Sequence, residues 1–184
     1  GHIPRSVFIG LDGGFAPWVG ALVGDVNQPL LIIAPEGREE ETITRLSRVG
    51  FDQTLGYLKG GFDTWKISGK EYDLISGVSA GDLEKLAKEE NMLVFDVRKE
   101  NEFILKHIAS AQNTPLDLLN DYLDHFPENQ PFYIHCAGGY RSVIAASILK
   151  KRGIHNLIDI QGGFKAIKET KIELTDHVSA STIN

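Results

Sequence analysis

The feature that most constrains the fold of this chain is an internal repeat. The segment Pro29–Glu40 (PLLIIAPEGREE) matches Pro131–Ser142 (PFYIHCAGGYRS), which lies 102 residues further along. KGGFDTWK at 59–66 matches QGGFKAIK at the same spacing, and the opening GHIPRSVFIGLD matches KHIASAQNTPLD at 106–117. A period of about 100 residues is too long for a solenoid and fits two copies of one small domain. We therefore predict a duplicated domain.

The two copies differ in completeness. In the second copy, His107 is preceded by SAGDLEKLAKEE at 79–90 and by the apolar run MLVFDV at 92–97, whereas only Gly1 precedes the matching His2. We predict an incomplete first copy over residues 1–71, truncated at its N-terminus, and a complete second copy over 72–184. This favours a piece of a longer protein, with a naturally shortened domain as the alternative.

Strands and helices alternate in the second copy. The predicted strands are continuous apolar runs, as in strands covered on both faces: Met92–Val97, Phe132–Cys136 and Asn156–Ile160. The predicted helices have caps or apolar stripes: Ser79–Glu90, opened by Ser79 and Asp82, then Leu116–Phe126 and Arg141–Arg152, stopped by Gly153. This order predicts an α/β fold with a parallel β-sheet flanked by helices.

Composition excludes several function classes. Of 184 residues, 42% are hydrophobic and 24% charged, which is typical of a folded globular chain. The formal net charge of −6 has the wrong sign for a nucleic-acid binder, and no apolar run is long enough for a membrane helix. No secretory signal is present, and the single cysteine excludes an internal disulfide. We therefore expect a cytoplasmic protein that binds neither nucleic acid nor membrane.

The cysteine follows a predicted buried strand and begins a short loop, CAGGYRS at 136–142. Gly138 and Gly139 allow positive φ, so that successive N–H groups converge on the sulfur of Cys136. The N-terminus of the following helix and the Arg141 guanidinium add positive charge. These surroundings favour a reactive thiolate at neutral pH.

Two other roles for Cys136 are weaker. A small buried hydrophobe would not need a glycine-rich loop for anions, and the six scattered histidines show no metal-ligand spacing, so we predict no metal site. His135 points to the opposite side of its strand and is interpreted as a core residue or one that supports the site from behind.

These motifs together resemble the rhodanese family of sulfurtransferases. The resemblance covers residues 72–175 and includes, in order, D-V-R from Asp96, E-F from Glu102, H-I-x-x-A from His107, C-x4-R from Cys136 to Arg141, and G-G-F from Gly162. It implies that Cys136 carries a persulfide and that Asp96 and Arg98 stabilise the active-site face, although a surface ion pair is the simpler interpretation. Related phosphatases have a loop one residue longer, so the loop length favours sulfur chemistry.

In the first copy, Ala34 stands where the alignment places Cys136, and Glu36, Glu39, Glu40 and Glu41 make its loop acidic. We predict that this copy is inactive and serves a structural or interface role. Residues Gly1–Gly20 make the tandem resemble the C-terminal half of metallo-β-lactamase-fold persulfide dioxygenase–rhodanese fusions. That resemblance implies an upstream metallo-β-lactamase-fold partner domain holding iron, and no cofactor in these 184 residues.

The predicted activity is transfer of sulfane sulfur from thiosulfate, glutathione persulfide or another thiol persulfide, through Cys136, to a thiol or cyanide. Loop amides from Ala137 to Arg141 would hold the persulfide. Tyr140 either shapes the donor pocket or packs on the sheet edge, and Ser142 either donates a hydroxyl proton or caps the helix. The alternatives are a non-catalytic docking or homodimerisation module of a larger protein and a cysteine-dependent phosphatase.

Overall fold

The computed structural model describes residues 1–87 and 92–176, which form two compact units. The first unit is Gly1–Leu74 and the second begins at Ile75. That the units are two copies of one domain, with their boundary after residue 71, stays a prediction.

The second unit is built on a five-stranded parallel sheet. Its strands, in chain order, are β3 (Ser76–Ser79), β4 (Val94–Asp96), β6 (Ala111–Asn113), β7 (Phe132–His135) and β8 (Leu157–Gln161). Their spatial order is β3-β8-β7-β4-β6, and each neighbouring pair is parallel. The predicted α/β fold with a parallel sheet is confirmed.

Helices flank this sheet. They are α4 (Ala80–Leu86), α5 (Glu100–Leu105), α6 (Tyr140–Lys151) and α7 (Gly163–Ile167), with a 3-10 helix over Leu116–His125. All residues of β4 and β7 are buried, which explains their continuous apolar runs. One core cluster includes Leu83 and Ile167, and the rings of Phe95, Phe126 and Phe132 pack together elsewhere in the unit.

Several sequence predictions for this unit need correction. The segment Leu116–His125 is a 3-10 helix rather than an α-helix. Ser79 does cap α4 by accepting a hydrogen bond from the Asp82 N–H at 3.1 Å, but α4 ends at Leu86, and 88–90 lie outside the described residues. Strand β3 and the antiparallel pair of β5 (Lys106–Ile108) and β9 (Leu174–Asp176) were not predicted, because these short segments contain no apolar run.

The first unit has a smaller sheet. Two parallel strands, β1 (Leu30–Ile32) and β2 (Thr54–Tyr57), pair with each other. Its helices are α1 (Phe15–Leu22), α2 (Glu39–Ser47) and α3 (Gly61–Ile67). The core of this unit is formed by the buried side chains Phe15, Val19, Leu46 and Phe51.

The two units share a glycine pair and part of a strand register, although the pairing of β1 with β2 shifts between Leu30 and Leu31. Ile32 pairs with Tyr57 as Ile134 pairs with Asp159. Gly61 has a φ of 58° and Gly163 a φ of 56°, and each follows a glycine that is also left-handed. A Cβ on Gly61 would overlap the Ala34 carbonyl oxygen, and one on Gly163 would overlap that of Cys136. Only glycine fits where a helix starts this close to another backbone segment.

Within residues 1–87 and 92–176, no helix is both long and apolar enough to cross a membrane.

Candidate active site

Cys136 lies directly after β7, at the carboxyl end of the parallel sheet, where α/β proteins place their functional groups. The residue is 1% exposed. The N–H of Gly139 donates a hydrogen bond to the Cys136 Sγ at 3.2 Å. Gly139 has a φ of 108°, but Gly138 is not left-handed, so the expected positive φ applies to one of the two glycines only. The loop therefore directs one backbone donor, the N–H of Gly139, at the sulfur, where the sequence predicts several.

The start of α7 holds this loop from behind. The N–H of Phe164 donates to the Cys136 carbonyl at 2.7 Å, and the N–H of Lys165 donates to the Ala137 carbonyl at 3.0 Å. In a trans peptide the C=O and N–H groups point in opposite directions. The N–H groups of Ala137 and Gly138 therefore point away from α7. The Gly-Gly-Phe element thus shapes the cysteine loop.

Arg141 is held by Glu102, a residue for which the sequence predicts no role. The Arg141 Nη1 and Nη2 donate to the Glu102 carboxylate at 2.5 and 2.9 Å. These hydrogen bonds raise the pKa of Arg141, with a smaller contribution from Cys136, and lower the pKa of Glu102. The sequence predicts that Arg141 closes the loop by its charge and by anchoring the end of the loop, and the structure adds that Glu102 fixes the orientation of its guanidinium. Glu102 is part of the E-F element, and 39 residues separate it from Arg141.

Asp96 and Arg98 form a buried ion pair, so the interpretation as a surface pair is wrong. Asp96 is 0% and Arg98 4% exposed. The Arg98 Nη2 donates to Asp96 Oδ2 at 2.6 Å and to the Lys106 carbonyl at 2.8 Å. The Arg98 Cζ also lies 3.9 Å from the centroid of the Phe164 ring. Through Phe164, this pair contacts the helix that holds the cysteine loop.

His135 lies in the core, as the strand alternation predicts. It is fully buried, and its Nδ1 lies 3.2 Å from the Cys136 carbonyl oxygen. Its Nε2 is 3.8 Å from Asp96 Oδ2 and makes no hydrogen bond. Burial lowers the pKa of His135, while Asp96 acts in the opposite direction. His135 is therefore neutral at pH 7 and supports the site from the sheet.

Ser142 does not cap α6. This buried side chain donates to the Gly139 carbonyl at 3.2 Å. Asp159 is 8% exposed, and burial raises its pKa, an effect that Ser142 opposes.

The remaining loop residues differ in exposure. Tyr140 is the first residue of α6 and is half-buried, Ala137 is half-buried, and Gly138 is exposed. In the described parts of the chain, no group of three or more His, Cys, Asp or Glu side chains is placed to hold a metal ion.

Comparisons with known proteins agree with this architecture. Residues 79–170, half of the chain, match the model of the rhodanese-like domain. The uncharacterized protein YqhL of Bacillus subtilis is 38% identical over 72 residues, which are 39% of this chain and 57% of YqhL. The thiosulfate sulfurtransferase GlpE of Coxiella burnetii is 27% identical over 84 residues, which are 46% of this chain and 78% of GlpE.

The chain thus spans little more than half the length of YqhL. Among solved structures, the rhodanese-like domain of the Alr3790 protein from Anabaena sp. superposes with a TM-score of 0.52 at 20% identity, over 60% of this chain and 86% of that domain. This likeness establishes the fold. With the family model matching the segment that holds the strand, the cysteine loop and the glycine pair, the chain belongs to the rhodanese-like family.

Proposed function

We propose that this chain is a sulfurtransferase that carries sulfane sulfur as a persulfide on Cys136. The observation that supports it best is the contact of the Gly139 N–H with the Cys136 Sγ at 3.2 Å, in a loop that opens at the carboxyl end of a parallel sheet. A backbone donor aimed at sulfur stabilises a thiolate, and it would stabilise the negative charge of a persulfide in the same way. The sulfurtransferase name of GlpE agrees with this chemistry.

The proposed reaction has two displacement steps. In the first, the Cys136 thiolate attacks the outer sulfur of thiosulfate or of a low-molecular-weight persulfide such as glutathione persulfide. The donor's S–S bond breaks, its electron pair leaves with sulfite or with a thiolate, and Cys136 becomes a persulfide. In the second, an acceptor thiolate or cyanide attacks the outer sulfur, which releases the Cys136 thiolate. No cofactor takes part.

The short loop is the reason to prefer sulfur transfer over phosphate hydrolysis. Four residues separate Cys136 from Arg141, and the Arg141 guanidinium is occupied by both carboxylate oxygens of Glu102. A phosphatase needs its guanidinium to clamp the oxygens of a tetrahedral phosphate. We therefore propose that Arg141 fixes the end of the loop rather than the substrate.

We further propose that residues 1–71 are an inactive, incomplete copy of the same domain, with Ala34 in the place of the nucleophile. Two observations support this proposal: Leu31 and Ile32 pair as Tyr133 and Ile134 do, and in each unit a glycine at the start of a short helix lies against the carbonyl of the first loop residue. The proposal of an upstream metallo-β-lactamase-fold domain that holds iron is based on the resemblance of Gly1–Gly20 alone.

The test is sulfur transfer from thiosulfate and from glutathione persulfide by wild-type, Cys136→Ser and Ala34→Ser chains. We expect activity in the wild type, none in Cys136→Ser, and unchanged activity in Ala34→Ser, which places the same hydroxyl at the matching position of the first unit. Activity retained in Cys136→Ser would overturn the proposal. Mass spectrometry then separates catalysis from a docking role, because a docking module would not exchange an added sulfur atom on Cys136 with thiols.

A further inference from the structure

We infer that the loop of Cys136 takes its sulfur from a thiol persulfide such as glutathione persulfide in preference to thiosulfate, and that Gly138 keeps the loop open to this donor. The inference rests on the proposed function and names the class of its donor. Two observations carry it: both arginines next to the loop are bound to acids, and the fold does not require glycine at position 138.

Gly138 differs from the glycines that shape the backbone around the cysteine. Gly139 has a φ of 108° and Gly163 a φ of 56°, both in the left-handed region that favours glycine. Gly138 has no such φ, and a Cβ built on it would have no neighbouring atom within 4 Å. The backbone and the space at this position therefore accommodate a side chain.

The first unit carries a side chain at the matching position. Glu36 stands where the repeat places Gly138, and the following Gly37 has a φ of 82°, left-handed like Gly139. Glycine at position 138 is therefore not a condition for a loop of this kind. Gly138 is the one exposed residue from Cys136 to Ser142, so the absence of its side chain leaves the loop open where solvent reaches it.

The arginines beside the loop are already paired. Arg141 is the one charged residue within the loop, and it donates to both carboxylate oxygens of Glu102 at 2.5 and 2.9 Å. Arg98 lies against the Phe164 ring and is bound to Asp96, with both partners buried. Each arginine forms a neutral pair with its acid, so neither offers an uncompensated charge to a bound anion.

Two lysines near the loop lie on its far side. Lys165 is in α7, and Lys168 directly follows that helix. Helix α7 binds the carbonyl groups of Cys136 and Ala137, whereas the N–H groups of Ala137 and Gly138 point away from it. The backbone of both lysines is therefore behind the loop, and their charges reach its exposed side through solvent, where salt screens them.

This distribution of charge separates the two donors. Thiosulfate brings two negative charges to the Cys136 thiolate, and when its S–S bond breaks, the electron pair leaves on sulfite. A protonated thiol persulfide brings no charge to the sulfur. Its S–S bond breaks, the electron pair leaves on the organic thiolate, and the proton stays on the new Cys136 persulfide. Against a dianion the loop directs the Gly139 N–H at 3.2 Å from the sulfur, which replaces little of the water that the dianion loses.

Two substitutions at Gly138, to side chains of similar length but different charge, test the inference. In the wild type, we expect kcat/KM for glutathione persulfide to exceed that for thiosulfate about tenfold or more. Gly138→Met should lower the value for glutathione persulfide, because its side chain obstructs the opening, and should not raise the value for thiosulfate. Gly138→Lys should raise the value for thiosulfate about tenfold, the effect of one charge-assisted contact.

The matched control is Glu36→Lys, which places the same cation at the corresponding position of the first unit. It should leave the rates with both donors as in the wild type. Circular dichroism checks that each variant is folded.

Alkylation of Cys136 measures the charge of the site without a sulfur donor. Cys136 is the only cysteine of the chain, so the signal comes from one site. The ratio of the rate constants for anionic iodoacetate and neutral iodoacetamide cancels the thiolate fraction. We expect the wild-type ratio not to exceed that of 2-mercaptoethanol. Gly138→Lys should raise this ratio about threefold, whereas Gly138→Met should not.

The inference is wrong if the wild type uses thiosulfate as efficiently as glutathione persulfide through Cys136. It is also wrong if Gly138→Lys and Gly138→Met change the rates with the two donors by the same factors, or if the wild-type alkylation ratio exceeds that of 2-mercaptoethanol. Transfer from neither donor, or transfer retained in Cys136→Ser, would instead overturn the proposed function. The alkylation ratio would still report the charge of the loop.

Discussion

The loop after β1 and the loop after β7 share one backbone arrangement but differ in chemistry. In each, a left-handed glycine pair lets a short helix begin against the carbonyl of the first loop residue. That residue is Ala34 in the first unit and Cys136 in the second, and both are buried. The loop at Ala34 runs into an acidic first turn of α2, whereas the other directs a backbone N–H at sulfur. The backbone conformation of the loop is thus independent of whether the loop carries a reactive side chain.

The two arginines in these loops show the same contrast. Arg38 donates to Asp12 at 2.8 and 2.9 Å and to Glu41 at 2.8 and 3.0 Å, and Asp12 is highly exposed. Arg141 binds one acid, Glu102, in a half-buried setting. Both carboxylates bind Arg38, and Arg45 also binds Glu41, so the guanidinium of Arg38 is occupied by two acids. In the second unit, Arg141 and Glu102 form a neutral ion pair, and a backbone N–H of the loop donates to sulfur.

Of the substitutions that test this comparison, Gly163→Ala is expected to lower the sulfur-transfer activity most. The new methyl group would overlap the Cys136 carbonyl oxygen, and a φ of 56° is itself unfavourable for alanine. The loop must move, and a displacement of about 1 Å in an active site costs on the order of 100-fold in rate. We expect kcat/KM for sulfur transfer to fall by about that factor, measured at a temperature where circular dichroism shows the chain folded.

Gly61→Ala is the matched control for this substitution. It makes the same overlap with the Ala34 carbonyl oxygen, so the first unit should lose stability while sulfur transfer continues. Equal losses of activity in Gly61→Ala and Gly163→Ala would contradict the conclusion that the two loops share a backbone arrangement while only the second carries the chemistry.

A smaller effect is expected from Glu102→Gln, which removes the charge that orients Arg141. We expect kcat/KM to fall about tenfold, because a charge-assisted pair of hydrogen bonds is replaced by a neutral one. The matched control is Glu41→Gln, which weakens the corresponding contact of Arg38 and should leave the rate unchanged.

The pH dependence sharpens this prediction. Arg141 lowers the pKa of Glu102 from its ordinary value of 4.5, so the ion pair is complete above that value and is lost as pH falls through the lowered pKa. The ratio of wild-type to Glu102→Gln rates should therefore be constant from neutral pH down to about 4.5 and shrink only in stronger acid. A ratio that changes between about pH 6 and 8 would assign the effect to another group.

The sequence predicts much of this fold and part of the site, for physical reasons. Strands buried on both faces are visible as apolar runs, and of the two glycines for which the sequence predicts a positive φ, Gly139 has one. The partners of these residues are not visible. That Glu102 binds Arg141 depends on which helices become neighbours, which local patterns do not encode. The short β3 pairs only because β8 offers it an edge.

Ala34→Cys is expected to have the smallest effect on sulfur transfer. It is also the strictest test of whether the two loops differ in chemistry although they share a backbone geometry. The substitution adds a thiol to a loop whose glycine geometry matches that of Cys136, so geometry alone would predict a second sulfur carrier. Glu39, Glu40 and Glu41 in the first turn of α2 disfavour a thiolate and repel anionic donors. We therefore expect no added sulfur transfer from Ala34→Cys in the Cys136→Ser background. At pH 7, iodoacetamide should alkylate the introduced thiol more slowly than it alkylates Cys136 in the wild type. Persulfide formation on the introduced thiol would mean that the backbone conformation of the loop is sufficient for sulfur transfer. The acidic first turn of α2 would then not matter.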